Sequence, residues 1–371
     1  MAPEDAEIVV VGAGLLGLAT ARELATRGRE VVVLEAETVG GERSGSKASA
    51  RIFRLGYDDP LYVGMAKQAL SLWRELEAEC DEILLVETGQ LTFGRPGDAT
   101  ALAGLRDALA TGAAPFELLS PDEARRRWPQ VTPHGDGVFE PLSGVLRADR
   151  CLAAIRSLIP GVVSERSPVR SLRDTGDVVE VVTDDTLWRA QVAVCCAGPG
   201  SRDLLGSAGI GLALTATLEQ VAYFAAGSAG GDLPPVVIEL GEPLFYGLPT
   251  PSTGLYKAAR HHAGTIVDAA SATFEPDEGR IRQVEADVAR LLPGLRPVAV
   301  ETERCLYDTT PDEDFVLDRV GRIVIGCGTS GHGYKFGPLL GRVIADLALA
   351  EEPEVPIARF SAARAGLRVG L

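Results

Sequence analysis

Gly12, Gly14 and Gly17 stand in the order G-x-G-x-x-G, directly after the apolar run Ile8–Val11. That spacing suits a pyrophosphate. Gly12 permits a tight turn, Gly14 lets the backbone approach the phosphates, and Gly17 lets the next helix pack close to the strand. The phosphates then sit at a helix N-terminus, where free N–H groups and the positive dipole end point. Glu35 ends a second apolar run, Val31–Leu34, at a place where a carboxylate accepts hydrogen bonds from a ribose. An acid there prefers an unphosphorylated ribose, which predicts FAD or NAD rather than NADP.

The cations come next. Lysine is scarce: Lys47, Lys67, Lys257 and Lys335 are the whole set. Arg51 and Arg54 in "SARIFR" have i, i+3 spacing; on a helical turn they share a face, and a guanidinium fork suits a carboxylate. Solvated surface arginines are the plain alternative. Six cysteines and four histidines are scattered without C-x-x-C spacing, so no metal site is expected, and free thiols fit a reducing compartment. Cys305, in "ERCLYDTTPDEDFVLD", has no evident partner. A buried structural thiol is the usual fate of such a residue. Asp308 and Asp312 after it read as a solvated turn.

These residues need elements to position them. Leu15, Leu18, Ala21 and Ala25 predict a helix after the glycines, stopped at Gly28. "VAVCCAGPGSRDLL" predicts another strand, with a helix from Ser201. "RIVIGCGTSGHGYKFGPLLGRVIADLALA" predicts a strand, a loop through Gly331 and Gly333, then a helix with Phe336, Leu340, Val343 and Leu347 inward. A second helix N-terminus therefore faces the same crevice. Near a flavin ring it would stabilise the anionic reduced form, which favours FAD. Ser46, in the loop before Arg51, joins the cofactor-contact candidates. In the middle, "VETGQLTFGRPG", "DGVFEPLSGVLRADR" and "VVIELGEPLFYGLPTPSTGLYKAARHH" alternate as antiparallel strands do. Met65, Ala69, Leu72, Trp73 and Leu76, and Val284, Val288, Leu291 and Leu292, have helical spacing and read as core, as does Trp128. The expected fold is mixed α/β: a Rossmann-type domain from residues 1–80, 145–215 and 300–371, interleaved with an antiparallel-sheet substrate domain from 81–144 and 216–299.

The totals bound the function. With 371 residues, 46% hydrophobic, the chain can bury large cores. A net charge of −16 argues against nucleic acid and anionic membranes as partners. No apolar run approaches the ~18 residues of a membrane span. The start "MAPEDAEIVVVG" carries no signal-peptide pattern, so a cytoplasmic protein is expected.

Over nearly its full length the chain resembles the monomeric sarcosine oxidase, N-methyltryptophan oxidase and pipecolate oxidase family of D-amino-acid-oxidase-like flavoproteins. "VVVGAGLLGLATARELATRG", "SARIFRLGY", "LWRELE", "TGQLTFG", "FEPLSGVLRADRC", "LFYGLP", "KAARHHAG", "ERCLYDTTPDEDFVLD" and "GTSGHGYKFGPLLG" carry the resemblance. It implies FAD, attached through an 8α-S-cysteinyl thioether at Cys305, with Arg304 favouring the thiolate. Cys327 has the weaker claim. It implies Arg51 on the flavin face, and Arg54 with Lys335 on a substrate carboxylate. Lys257 would activate O2 near flavin N5, and Tyr246 and His261 would line the cavity, with His262 as the rival inward residue. The implied reaction passes hydride from a secondary or related amino acid to the flavin, gives an imine, and yields H2O2, in a monomer.

Some family members carry a histidine and a Thr or Ser where this chain has Lys47 and Ala50. That departure turns expectation away from sarcosine itself, toward a larger or ring amine, including a biosynthetic intermediate. Lys47 is left as either a cofactor contact or a solvated lysine. Two other readings stand beside the oxidase: a dehydrogenase passing electrons to another acceptor, and a non-catalytic flavin scaffold.

Overall fold

The computed structural model describes residues 3–95, 99–227 and 233–370. Pro96 and Gly97, at the end of the "TGQLTFGRPG" stretch, lie outside them. The chain opens with strand β1 (Glu4–Val11), helix α1 (Leu15–Thr26) and strand β2 (Val31–Leu34). Gly28, at φ 74°, follows α1 in the left-handed region, which a residue without Cβ enters freely. Strand β3 (Arg51–Phe53) leads into the long helix α2 (Pro60–Cys80), capped by Asp59, whose side chain accepts the Leu61 N–H. Strands β4 (Gln90–Gly94), β5 (Gly144–Leu146) and β6 (Leu187–Cys195) follow. Then come β7 (Thr215–Ala226), β8 (Val236–Leu240), β9 (Phe245–Thr250) and β10 (Leu255–Arg260). Helix α3 (Glu278–Leu291), strand β11 (Leu295–Thr309), strand β12 (Ile323–Cys327) and helix α4 (Gly337–Ala348) complete the main frame.

Two sheets dominate. In an eight-stranded sheet β1 lies parallel between β2 and β6, and β12 lies parallel on the far side of β6. The strands that open, divide and close the chain thus meet in one sheet. β1 and β12 are buried at their C-terminal ends, as runs with cover on both faces must be. α1 and α4 pack against each other: a Cβ on Gly337 would meet Leu15, and one on Gly341 would meet Ala19. The nine-stranded sheet holds β4, β7, β8, β9, β10 and β11 among others. It is not wholly antiparallel as predicted, because β8 pairs with β4 in parallel. β11 crosses residue 300 and pairs with β7 of this sheet as far as Thr309.

Three expectations need correction. Arg51 is not on a helical turn; it opens β3, which pairs antiparallel with β5, and Arg54 follows the strand. The short β-branched and aromatic run is better satisfied as a ladder beside β5 than as an isolated turn. Phe336 lies in a 3-10 turn, Tyr334–Phe336, just before α4. Asp308 is not solvated: it is 6% exposed. Its carboxylate accepts the N–H groups of Gly328 and Thr329 and the Thr329 hydroxyl, so it pins the start of the second glycine loop. Asp312 pairs with Arg364, which holds its carboxyl down at about 2.

Candidate active site

A cavity of about 390 Å³ runs along the C-terminal ends of the parallel strands. Gly12, Gly14, Glu35, Ser46, Gly331 and Gly333 all line it. Gly12 sits at φ 99°, and a Cβ on Gly17 would run into the Gly12 carbonyl oxygen. Glu35 braces this turn from below. One carboxylate oxygen accepts the Ala13 N–H at 2.7 Å, the other the Glu37 N–H at 3.0 Å. The Ser46 hydroxyl accepts the Leu15 N–H at 2.9 Å, at the first residue of α1. Gly331, at φ 73°, lies so close to Tyr307 that a Cβ would strike its ring.

A smaller cavity, about 90 Å³, adjoins this one. Arg51, Tyr307, Gly331 and Tyr334 line both. Arg54, Tyr246, Lys257, His261, Cys305 and Lys335 line the smaller one, so the structure gathers every predicted catalytic side chain around it. His261 lines it and His262 does not; His262 turns toward Glu313 instead.

Each cation is held in its own way. The Arg51 guanidinium donates to the carbonyls of Lys47 (2.7 Å), Gly45 (3.1 Å) and Ala50 (3.2 Å). The loop carrying Lys47 thus contributes its backbone to the site. Arg54 lies 4.5 Å over the Tyr57 ring. Lys257, 3% exposed on β10, donates to the Ala50 carbonyl at 3.2 Å. Burial, with Arg51 nearby, pushes its ammonium down to about 7. Lys335 donates to the Tyr57 hydroxyl at 2.8 Å and the His332 carbonyl at 2.6 Å. Burial and Arg54 hold its ammonium well below the ordinary lysine range. Among the described residues, no carboxylate lies within ion-pair distance of Arg51, Arg54, Lys257 or Lys335.

The sequence reading missed several residues here. Tyr57 and His332 form a chain with Lys335: the Tyr57 hydroxyl lies 3.3 Å from His332 Nδ1, and His332 Nε2 lies 3.0 Å from the Glu313 carbonyl. Burial and Lys335 bring His332 down to about 3, so its imidazole stays neutral. Glu140 is fully buried and accepts the N–H groups of Leu55 and Gly56, the Ser143 hydroxyl and the Gln90 amide. It fixes the backbone immediately after Arg54. Trp73 donates its indole N–H to the Lys335 carbonyl at 2.7 Å, tying α2 to the site. No local signal marked these, because the contacts that bring Tyr57, Glu140 and Trp73 to the site each span more than eighty residues of chain.

Cys305 lies on β11 and faces the smaller cavity. Burial raises its thiol, and Arg51 and Lys257 pull it back. Side chains alternate along a strand, and the Arg304 guanidinium reaches the carbonyls of Glu275 and Leu218 on the other face, so Arg51 and Lys257 are the cations that act most on the thiol. Cys327 is buried in the core at the end of β12.

These residues fit a flavin dinucleotide. The larger cavity has a glycine cradle, the start of α1 and an acid at one end. At the other, Arg51 and Tyr334 lead into a cavity bearing a thiol and further cations. An apolar wall of Val221, Ile238, Leu244 and Leu248 completes it.

Comparison with known proteins agrees. The family described as FAD dependent oxidoreductase (DAO) matches residues 7–347. Peroxisomal sarcosine oxidase of Homo sapiens is 31% identical over 376 residues, covering 96% of each chain. N-methyl-L-tryptophan oxidase of Yersinia pestis (strain Pestoides F) is 29% identical, covering 97% of this chain and 99% of its own. The open form of NikD, an unusual amino acid oxidase essential for nikkomycin biosynthesis, superposes with a TM-score of 0.87 at 27% identity, over 99% of this chain and all of that one. The chain therefore belongs to the DAO family of FAD dependent oxidoreductases and is similar within it to the sarcosine and N-methyltryptophan oxidases.

Proposed function

We propose that this enzyme oxidises the C–N bond of an amino acid with a secondary amine, N-methyl or cyclic, and uses O2 as electron acceptor, releasing an imine and H2O2. The observation that carries the reading is the set of cations around the smaller cavity, with no carboxylate among the described residues within ion-pair distance of Arg51, Arg54, Lys257 or Lys335. Such a cavity is incomplete until an anion enters, and a substrate carboxylate supplies it.

Arg54 and Lys335 would take the carboxylate, the first as a fork and the second as a point charge. Tyr57 holds Lys335 in place meanwhile. The apolar wall excludes water and leaves the amine unprotonated, so no separate base is needed. Tyr246 and His261 would line the same cavity beside the substrate. When bound, FAD supplies the hydride acceptor. Arg51 stands at the seam between the cavities, and Cys305 is the residue that would bond the cofactor covalently. Lys257 presents a fixed positive charge where dioxygen must accumulate negative charge. We assign residues 1–80, 145–215 and the chain after β11 to the cofactor unit, and the nine-stranded sheet to the substrate unit.

The test is an anaerobic panel of N-methyl, cyclic and primary amino acids, scored by bleaching of the visible flavin band. Bleaching by secondary amino acids, followed by fast recovery and peroxide on admitting air, is the expected result. Bleaching without recovery in air, reversed by a quinone, would replace the oxidase reading with a dehydrogenase.

A further inference from the structure

Glu219 is a carboxylate with an unassigned place in this site. It lies on β7 directly opposite Cys305 on β11, in an antiparallel register. Opposed residues share a face, with Cβ atoms about 5 Å apart. Alternation fixes which face. Val221, two residues on, lines the same cavity as Cys305, so Glu219 is on the cavity side of the sheet. The residue is only 3% exposed. One carboxylate oxygen accepts the Thr217 hydroxyl at 2.8 Å, while Oε2 is buried with no hydrogen-bond partner among the described residues. A Cβ on Gly264 would run into the bonded oxygen, so the slot is shaped around this carboxylate. A buried, half-satisfied carboxylate costs stability. Among the described residues no cation forms an ion pair with it; its charge pushes the Cys305 thiol up, as a neighbouring acid does, while Arg51 and Lys257 pull the thiol down.

We infer that Glu219 is the base that takes the Cys305 thiol proton while the flavin is being attached. The inference rests on the thioether proposed above. Overall the Cys305 S–H bond and one flavin methyl C–H bond break, and one S–C bond forms. The two protons and two electrons leave with dioxygen as hydrogen peroxide. Glu219 holds the thiol proton only until that departure, so it is unchanged at the end. Arg51 and Lys257 stabilise the thiolate during the interval, and Thr217 keeps the carboxylate turned toward it.

The test uses full-length apoprotein mixed with FAD in air. Flavin fluorescence retained in a denaturing gel is followed with time, and FAD binding is measured separately. Glu219→Gln should bind FAD yet form the fluorescent band about a hundredfold more slowly than wild type, the size expected for loss of a proton acceptor. Equal rates would overturn the assignment of Glu219. No band from the wild type itself would instead remove the thioether, and the inference with it. If Glu219→Gln fails to bind FAD, Glu219→Asp decides. It keeps the acid but shortens its reach, so attachment must slow; a wild-type rate overturns the assignment.

Discussion

Lys257 is the residue whose surroundings most directly predict a pH response. Burial and Arg51 hold its ammonium down to about 7. Its proposed work requires the charged form, which is populated below that value. The rate of flavin reoxidation by O2 should therefore fall as pH rises through about 7, and stopped-flow mixing with aerated buffer measures it. Lys257→Met should lower the same rate by orders of magnitude at every pH, with the reductive half-reaction less affected. Intact oxygen reactivity in that variant removes the residue from the oxygen step. At Arg54, replacement by Lys keeps the charge and loses the fork. The expected result is a KM raised about tenfold or more, the scale of one charge-assisted hydrogen bond at 1.5–3 kcal/mol; an unchanged KM would mean that the carboxylate goes elsewhere.

Among the elements, α2 deserves its length because it reaches the site. Trp73 on α2 holds the Lys335 carbonyl. Trp73→Phe preserves most of the packing and leaves that carbonyl unpaired, a cost of about 1–3 kcal/mol. Denaturant unfolding should register that loss, and KM should rise with little change in oxygen reactivity. On α1 the constraint is steric. Gly17→Ala drives a methyl into the Gly12 carbonyl, so the strand–helix turn must open. Loss of retained FAD on gel filtration is the expected outcome. Both effects depend on packing between elements, yet only the second was readable beforehand. Glycine spacing announces a close approach; a tryptophan at helical spacing announces only core.

The whole molecule sets cations inside an acidic protein. The chain carries a formal charge of −16, yet four basic side chains converge on one small apolar cavity. Burial and Arg54 keep the Lys335 ammonium well below its ordinary range. A bound carboxylate would raise it again, so ligand binding should take up protons. Calorimetric titration with a non-reacting carboxylate in two buffers of different ionisation heat measures the uptake. Identical apparent heats in both buffers would show that Lys335 keeps its proton throughout. Among the described residues, no helix is long and apolar enough to cross a membrane.

By itself the sequence determined the dinucleotide turn, because Gly12, Gly14, Gly17 and Glu35 act within one strand–helix–strand unit. It determined the second glycine loop for the same reason, and the boundaries of β2 and of the short helix Ser201–Ser207 agree with the pattern. Resemblance drew Arg51, Arg54, Lys257, His261, Cys305 and Lys335 into one proposal, and the tertiary structure brings them around one cavity. What local pattern misjudged was orientation. Arg51 sits in a strand because β5 is there to pair with it, and Arg304 faces away because β11 alternates. Asp308 is buried because the second glycine loop folds back onto it. Only the tertiary structure decided that Tyr57 and His332 support Lys335, that Glu140 fixes the turn beyond Arg54, and that Glu219 faces Cys305. Apart from His332, three residues before Lys335, those contacts join residues far apart in the chain, and no local spacing encodes which strands will lie side by side.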